Sequence, residues 1–107
     1  MDICTVTELQ KELAASEPLI LIDVRTAEEL AIARIEGAHH IPLNALPMRV
    51  NELDDWRDKD IVCMCHHGMR SAQAQQILLS HGFAKVRNLT GGIHAWAMEI
   101  DPDMAKY

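Results

Sequence analysis

The chain has 107 residues, of which 49% are apolar and 24% charged, and this composition predicts one globular domain spanning residues 1–107. Ten Lys and Arg residues against 16 Asp and Glu residues give a formal charge of −6. Nucleic acids and anionic membranes both bind a basic protein face, so this charge argues against either as a partner.

The three cysteines, Cys4, Cys63 and Cys65, are an odd number without the spacing of a disulfide framework. The N-terminal sequence MDICTVTELQKEL lacks the cationic segment and the apolar core of a signal peptide. The longest apolar run, residues 18–22, is too short to span a bilayer. We therefore expect a cytoplasmic protein with free thiols, which suits a chemistry that uses a thiolate.

In the first half of the chain, helix signals alternate with strand signals. Residues 5–8 (TVTE) form a capping-box pattern and predict a helix that begins at Thr5. The apolar run over 18–24 predicts a central parallel strand, buried on both faces. Residues 26–29 (TAEE) repeat the capping box and predict a second helix, and residues 38–42 predict a short strand that Pro42 ends.

The second half continues this alternation. Its predicted elements are a short helix within 43–53, a strand over 61–65, a helix over 71–81, a strand over 85–89 and a helix over 93–98. The tail, residues 101–107, is expected to be weakly ordered. Alternating strands and helices predict an α/β fold, with a parallel sheet and helices on both of its faces.

Residues 65–71, CHHGMRS, follow a predicted strand and open a helix, where sites lie in such sheets. The free N–H groups of the helix start, together with the loop amides, form a cradle for an anion. Gly68 permits a tight loop, Arg70 adds a permanent positive charge, and a thiol placed here ionises more readily than a free one. We predict Cys65 as the catalytic nucleophile. The predicted substrate-binding residues are His66, His67, Gly68, Met69, Arg70 and Ser71.

Two classes of reaction fit a thiolate beside an anion cradle: sulfur transfer, and phosphoryl or arsenate chemistry. Four residues separate Cys65 from Arg70, whereas the loops of cysteine-dependent phosphatases resemble C-x5-R. The shorter loop fits the outer sulfur of a persulfide and crowds a tetrahedral phosphate. Sulfur transfer is therefore favoured, with a phosphatase or arsenate reductase as the less favoured alternative.

Four motifs in order resemble the rhodanese family in its single-domain form, over roughly residues 3–96. They are DVR with two glutamates over 23–29, GA with IPL over 37–43, the loop CHHGMRS over 65–71, and LTGG with AW over 89–96. One departure is ARIEGA over 33–38, where the family often has GHIPGA.

The resemblance implies a five-stranded parallel sheet and a two-step transfer without a cofactor. Cys65 would take a sulfane sulfur from thiosulfate or a persulfide, and would pass it to cyanide or a protein thiol. Arg70 would bind the small anionic donor, while His66 and His67 would tune the donor or acceptor. A sulfur-relay or partner-binding module with little thiosulfate activity remains the nearest alternative.

The residues next to the thiol have a structural interpretation that we favour. Cys63 is expected to be a small core residue; the alternative is a thiol that forms a disulfide with Cys65. The cluster of cysteines and histidines at 63–67 lacks the CxxC spacing of zinc sites, so no metal site is predicted. Met69 is left open between a flexible lip and a gap filler.

Four further residues outside the loop are also expected to be structural. Asp23 and Arg25 should hold neighbouring loops through hydrogen bonds. Trp56 and Trp96 should pack against the core, as large aromatic side chains usually do.

Overall fold

The computed structural model describes residues 2–107, and within them it contains five strands and five α-helices. In chain order these are β1 (Ile3–Cys4), α1 (Val6–Ala14), β2 (Leu19–Asp23), α2 (Ala27–Ile32), β3 (His39–His40), α3 (Leu46–Arg49), a 3₁₀ helix (Val50–Trp56), β4 (Asp60–Met64), α4 (Met69–Ser80), β5 (Lys85–Leu89) and α5 (Gly92–Glu99).

The five strands form one sheet in the order β1-β5-β4-β2-β3, and every neighbouring pair is parallel. In the central register, Ile22 lies beside Cys63 and Cys63 lies beside Asn88. The predicted α/β class and the five-stranded parallel sheet are therefore confirmed. The short strand β1 has no pattern in the sequence, because two residues cannot show a period.

Two apolar clusters cover the two faces of the sheet, which explains the continuous apolar runs of its central strands. Along β4, Ile61 and Cys63 belong to one cluster, and Val62 and Met64 belong to the other. The first cluster includes residues of α4 and the 3₁₀ helix, and the second includes residues of α1 and α5. Helices thus lie on both faces, as predicted. The two tryptophans pack as expected, one in each cluster.

Both predicted capping boxes are present. The Thr5 hydroxyl accepts a hydrogen bond from the Glu8 N–H, and the Glu8 carboxylate accepts one from the Thr5 N–H. Thr26 and Glu29 make the same exchange at the start of α2. No helix within residues 2–107 combines the length and the apolar character that crossing a membrane requires.

Candidate active site

Within the loop 65–71, residues 65–68 connect the end of β4 to the start of α4, at the carboxyl edge of the sheet. Gly68 has a left-handed backbone with φ 115°, and the first turn of α4 follows it directly. This turn starts the helix at Met69, two residues earlier than predicted. It aims the N–H groups of Gly68, Arg70 and Ser71 back at the Cys65 thiol.

Cys65 is 1% exposed, and its sulfur accepts hydrogen bonds within the loop. The Gly68 N–H donates to Sγ at 3.0 Å, and the Ser71 hydroxyl lies 3.3 Å from Sγ. Burial raises the pKa of the Cys65 thiol, but the hydrogen bonds from Ser71, Gly68 and Arg70 outweigh burial and lower the pKa below its ordinary value. The loop therefore stabilises the thiolate, which is the nucleophilic form.

Asn88 of β5 fastens the loop from the neighbouring strand. Its side-chain N–H donates to the Gly68 carbonyl at 3.0 Å, so its side-chain oxygen faces the hydroxyl of Ser71, which donates to it. Ser71 is fully buried, although it was predicted only as part of an anion cradle. Asn88 and Ser71 thus connect β5, the loop and α4 around the thiol.

The start of α5 closes the loop from the other side. The Ile93 N–H donates to the Cys65 carbonyl at 2.9 Å, and the His94 N–H donates to the His66 carbonyl at 3.0 Å. These free N–H groups of a helix start satisfy two loop carbonyls. Gly92 makes the approach possible, because a Cβ on it would lie 2.4 Å from the Cys65 carbonyl oxygen.

Arg70 forms a two-point ion pair with Glu29 of α2, with N–O distances of 2.6 and 2.9 Å. The hydrogen bonds to Arg70 hold the pKa of Glu29 well below its usual range, and those to Glu29 raise the pKa of Arg70. Glu29 is also the capping residue of α2, so the pair fixes α2 to the active-site loop. The predicted contact between Arg70 and a donor stays a prediction.

The tail was expected to be weakly ordered, and its last residue contacts the site instead. The Tyr107 ring stacks on His66, with centroids 3.9 Å apart and planes 9° apart. The Tyr107 hydroxyl donates to Glu29 at 2.8 Å and accepts from Arg25 at 2.9 Å. These contacts cover one side of the loop.

The loop histidines lie at the surface beside a third histidine, which the sequence did not indicate. The ring centroid of His67 lies 4.0 Å from that of His66 and 4.9 Å from that of His94. Burial and the neighbouring His67 lower the pKa of His66. Met69 is 80% exposed, which contradicts the gap-filler interpretation and leaves the lip interpretation.

The second thiol and the buried ion pair have structural roles. Cys63 is fully buried in the core beneath the loop, and burial raises the pKa of its thiol to about 12. Arg25, also fully buried, forms an ion pair with Asp23 at 2.7 Å and donates to the Ala33 carbonyl at 2.7 Å. As predicted, Asp23 and Arg25 hold neighbouring segments together.

Sequence reasoning missed four residues of the site: Glu29, Asn88, His94 and Tyr107. Glu29 was recognised as a capping residue and as part of the first family motif, but not as a partner of Arg70, and the other three lie within a strand, a helix and the tail. One signal was available for His94. It stands inside the motif that closes the family pattern, two positions after Gly92, which lets α5 approach the loop.

Comparisons with known proteins agree with this geometry. A family model for the rhodanese-like domain matches residues 5–99. A sulfurtransferase of Allochromatium vinosum is 40% identical over 91% of this chain and 89% of its own. A putative sulfurtransferase of Bacillus subtilis is also 40% identical, over 88% of each chain. Some relatives are longer: this chain spans only 22% of a maize adenylyltransferase and sulfurtransferase that is 34% identical.

Solved structures show the same fold. A rhodanese-like domain protein from Staphylococcus aureus has a TM-score of 0.79 and 34% identity, over 90% of this chain and 91% of its own. A human single-domain sulfurtransferase has a TM-score of 0.80 and 27% identity, over 92% and 97%. With its buried thiol in the loop between β4 and α4, this chain belongs to the rhodanese-like domain family and is a sulfurtransferase of the rhodanese type.

Proposed function

We propose that this protein takes a sulfane sulfur from thiosulfate or a persulfide onto Cys65 and passes it to cyanide or to a protein thiol. The observation that carries this proposal is the environment of Sγ. The sulfur is buried, it accepts hydrogen bonds from Gly68 and Ser71, and these bonds lower the pKa of the thiol despite its burial.

In the first step, the Cys65 thiolate attacks the outer sulfur of thiosulfate. A new S–S bond forms at Cys65, the S–S bond of the donor breaks, and sulfite leaves with the electron pair. The outer sulfur of the persulfide carries a negative charge, and the N–H groups that now face Sγ support it by electrostatic stabilisation.

In the second step, cyanide or the thiolate of a partner protein attacks the outer sulfur. The S–S bond at Cys65 breaks, thiocyanate or a partner persulfide leaves, and the Cys65 thiolate is restored. No net oxidation or reduction of the protein occurs over the two steps. The cycle therefore needs one donor and one acceptor and no additional oxidant.

Arg70 is proposed to hold the anionic end of the donor while it remains paired with Glu29. The pair uses one N–H from each outer nitrogen of the guanidinium, and a guanidinium has five N–H donors. Its side chain is 35% exposed, and it borders a shallow cavity of about 290 Å³ together with Thr26 and Asn44. An oxyanion can reach the remaining donors from that side.

Intact mass spectrometry tests the proposal. After incubation with thiosulfate, we expect the protein to gain the mass of one sulfur atom, ~32 Da, on the peptide that holds Cys65, and to lose it with cyanide. Cys65→Ala should gain nothing while its circular dichroism is unchanged, whereas the core variant Cys63→Ala should still gain the mass. Sulfur retained by Cys65→Ala would refute the assignment.

Two observations favour the relay as a second candidate. Glu29 already occupies both outer nitrogens of Arg70, which weakens the grip on a small anion, and the exposed Met69 beside the loop suits contact with a partner protein. Under the first candidate, Arg70→Ala slows sulfur uptake from thiosulfate. Under the relay, thiosulfate is a poor donor for the unmodified protein, and a persulfidated protein donor loads Cys65 quickly. Hydrolysis of an aryl phosphate would instead support the phosphatase alternative.

A further inference from the structure

Three imidazoles gather at the mouth of the loop. His66, His67 and His94 each place one ring nitrogen within 4.8 Å of the nitrogens of the other two. The backbone enforces this arrangement, because the His94 N–H donates to the His66 carbonyl at 3.0 Å. The backbones that carry His66 and His94 are therefore held together, and His67 follows His66 directly.

The imidazole nitrogens of these three histidines are available to bind a metal ion. Within residues 2–107, no hydrogen bond is made by the ring nitrogens of His67 or His94, and both side chains are exposed. Tyr107 stacks on the face of the His66 ring, whereas the lone pairs of imidazole lie in the plane of the ring. The stacking therefore orients His66 without occupying its nitrogen.

We propose that His66, His67 and His94 bind one Zn²⁺ ion, with a fourth coordination position open. Tetrahedral zinc with Zn–N distances of about 2.0 Å needs nitrogens about 3.3 Å apart. The ring nitrogens lie within 4.8 Å of one another, so binding requires the two exposed rings to rotate until the nitrogens are closer together. The site goes beyond sulfur transfer and does not depend on it.

The donor set selects the metal class. Three neutral imidazoles suit zinc and other late transition metals, whereas Mg²⁺ and Ca²⁺ need oxygen ligands. The formal charge of −6 favours the approach of a cation. The positive charge of Lys106 is nearby, but its ammonium group donates to the carbonyls of Pro102 and Met104 within the tail.

Titration calorimetry with Zn²⁺ tests the site. Cys65→Ser provides the background, because it removes the thiolate as a competing zinc ligand. We expect this variant to bind one Zn²⁺ per chain and to ignore Mg²⁺. Adding His94→Ala should weaken binding at least about tenfold, because one of three ligands is lost. Adding His81→Ala, an exposed histidine at the far end of α4, should leave the affinity unchanged.

Three outcomes would overturn the proposal: no Zn²⁺ binding, equal binding by the His94→Ala and His81→Ala variants, or binding by the unsubstituted protein that disappears in Cys65→Ser. Imidazole NMR of the unsubstituted protein keeps the test decisive if Cys65→Ser is poorly folded. Zn²⁺ should shift the ring signals of His66, His67 and His94, and it should leave those of His39, His40 and His81 in place. Shifts confined to other histidines would also refute the site.

Discussion

The hydroxyl of Ser71 lies between two acceptors, the Cys65 sulfur and the side-chain oxygen of Asn88. A hydroxyl has one proton, so it serves one acceptor at a time. Asn88 cannot turn away, because its side-chain N–H is held by the Gly68 carbonyl. We therefore expect the hydroxyl proton to turn toward Asn88 when the thiol is protonated and toward the sulfur when the thiol ionises. At the residue scale, this would couple the ionisation of Cys65 to a hydroxyl rotation.

Ser71→Ala tests this coupling. The variant removes a hydrogen bond to the thiolate, so the pKa of Cys65 should rise and less thiolate should be present near neutral pH. A hydrogen bond to a charged group contributes about 1.5 kcal/mol, so alkylation of Cys65 by iodoacetamide near neutral pH should slow roughly tenfold. The pH dependence of the alkylation rate, recorded with a chelator present, gives the pKa directly. Ser80→Ala, at the exposed end of α4, is the control. An unchanged pKa in Ser71→Ala would show that the backbone N–H groups suffice.

At the scale of elements, the loop is held between the start of α4 and the start of α5. Gly92 has φ 59°, and a Cβ on it would meet the carbonyl oxygens of Cys65 and His66 at 2.4 and 2.5 Å. These atoms belong to the backbone, so they cannot move without displacing the loop. Gly92, the second glycine of the closing motif, is thus a requirement of the packing between α5 and the loop.

Gly92→Ala is expected to lower the free energy of unfolding by about 3–5 kcal/mol, combining the overpacking with the backbone strain. Gly37→Ala is the matched control. Gly37 has φ 86°, and among the described residues a Cβ added to it would meet no atom beyond its chain neighbours within 4 Å. The free energy of unfolding of Gly37→Ala should fall by only about 1–2 kcal/mol, because the added Cβ strains the left-handed backbone without meeting a neighbour. Urea unfolding measures both variants. Equal losses would mean that backbone strain alone makes Gly92 necessary.

The sequence predicts those parts of the site that are local in the chain. Three features of this kind are the loop 65–71, its glycine and the two capping boxes. Each depends on residues that are close together in the sequence, so its pattern is visible there. The pair Arg70 and Glu29 joins residues 41 positions apart, and Tyr107 lies 78 positions from Glu29. Only the packed fold decides such contacts, so the sequence could not indicate them.

At the scale of the whole molecule, Glu29 joins three parts of the chain. It caps α2, pairs with Arg70 at the start of α4 and accepts a hydrogen bond from Tyr107 in the tail. A second two-point pair, Arg87 with Glu12, joins β5 to α1 with N–O distances of 2.7 and 2.8 Å. The two pairs are alike in chemistry, but only the first touches the active-site loop.

The pKa of Glu29 lies below its value of about 4.3 in an unfolded chain. Its contribution to stability is therefore fully present above that value and is lost as the pH falls through the folded-state pKa. In the Glu29→Gln variant, position 29 has no carboxylate that can be protonated. Its stability at pH 7 should be lower by about 1–2 kcal/mol, a value reduced by the partial exposure of Arg70. Its further loss between pH 5 and pH 3 should be smaller than that of the unsubstituted protein.

Glu12→Gln separates the stability effect from the effect on the site. Hydrogen bonds from Arg87 also lower the pKa of Glu12. In urea unfolding, Glu12→Gln should therefore also be less stable than the unsubstituted protein at pH 7, and it should lose less further stability on going to pH 3. Sulfur uptake by Cys65 should fall only in Glu29→Gln, because only there does Arg70 lose the partner that fixes it beside the loop. If both variants lose uptake equally, the defect follows from general stability, and Glu29 has no special connection to the site.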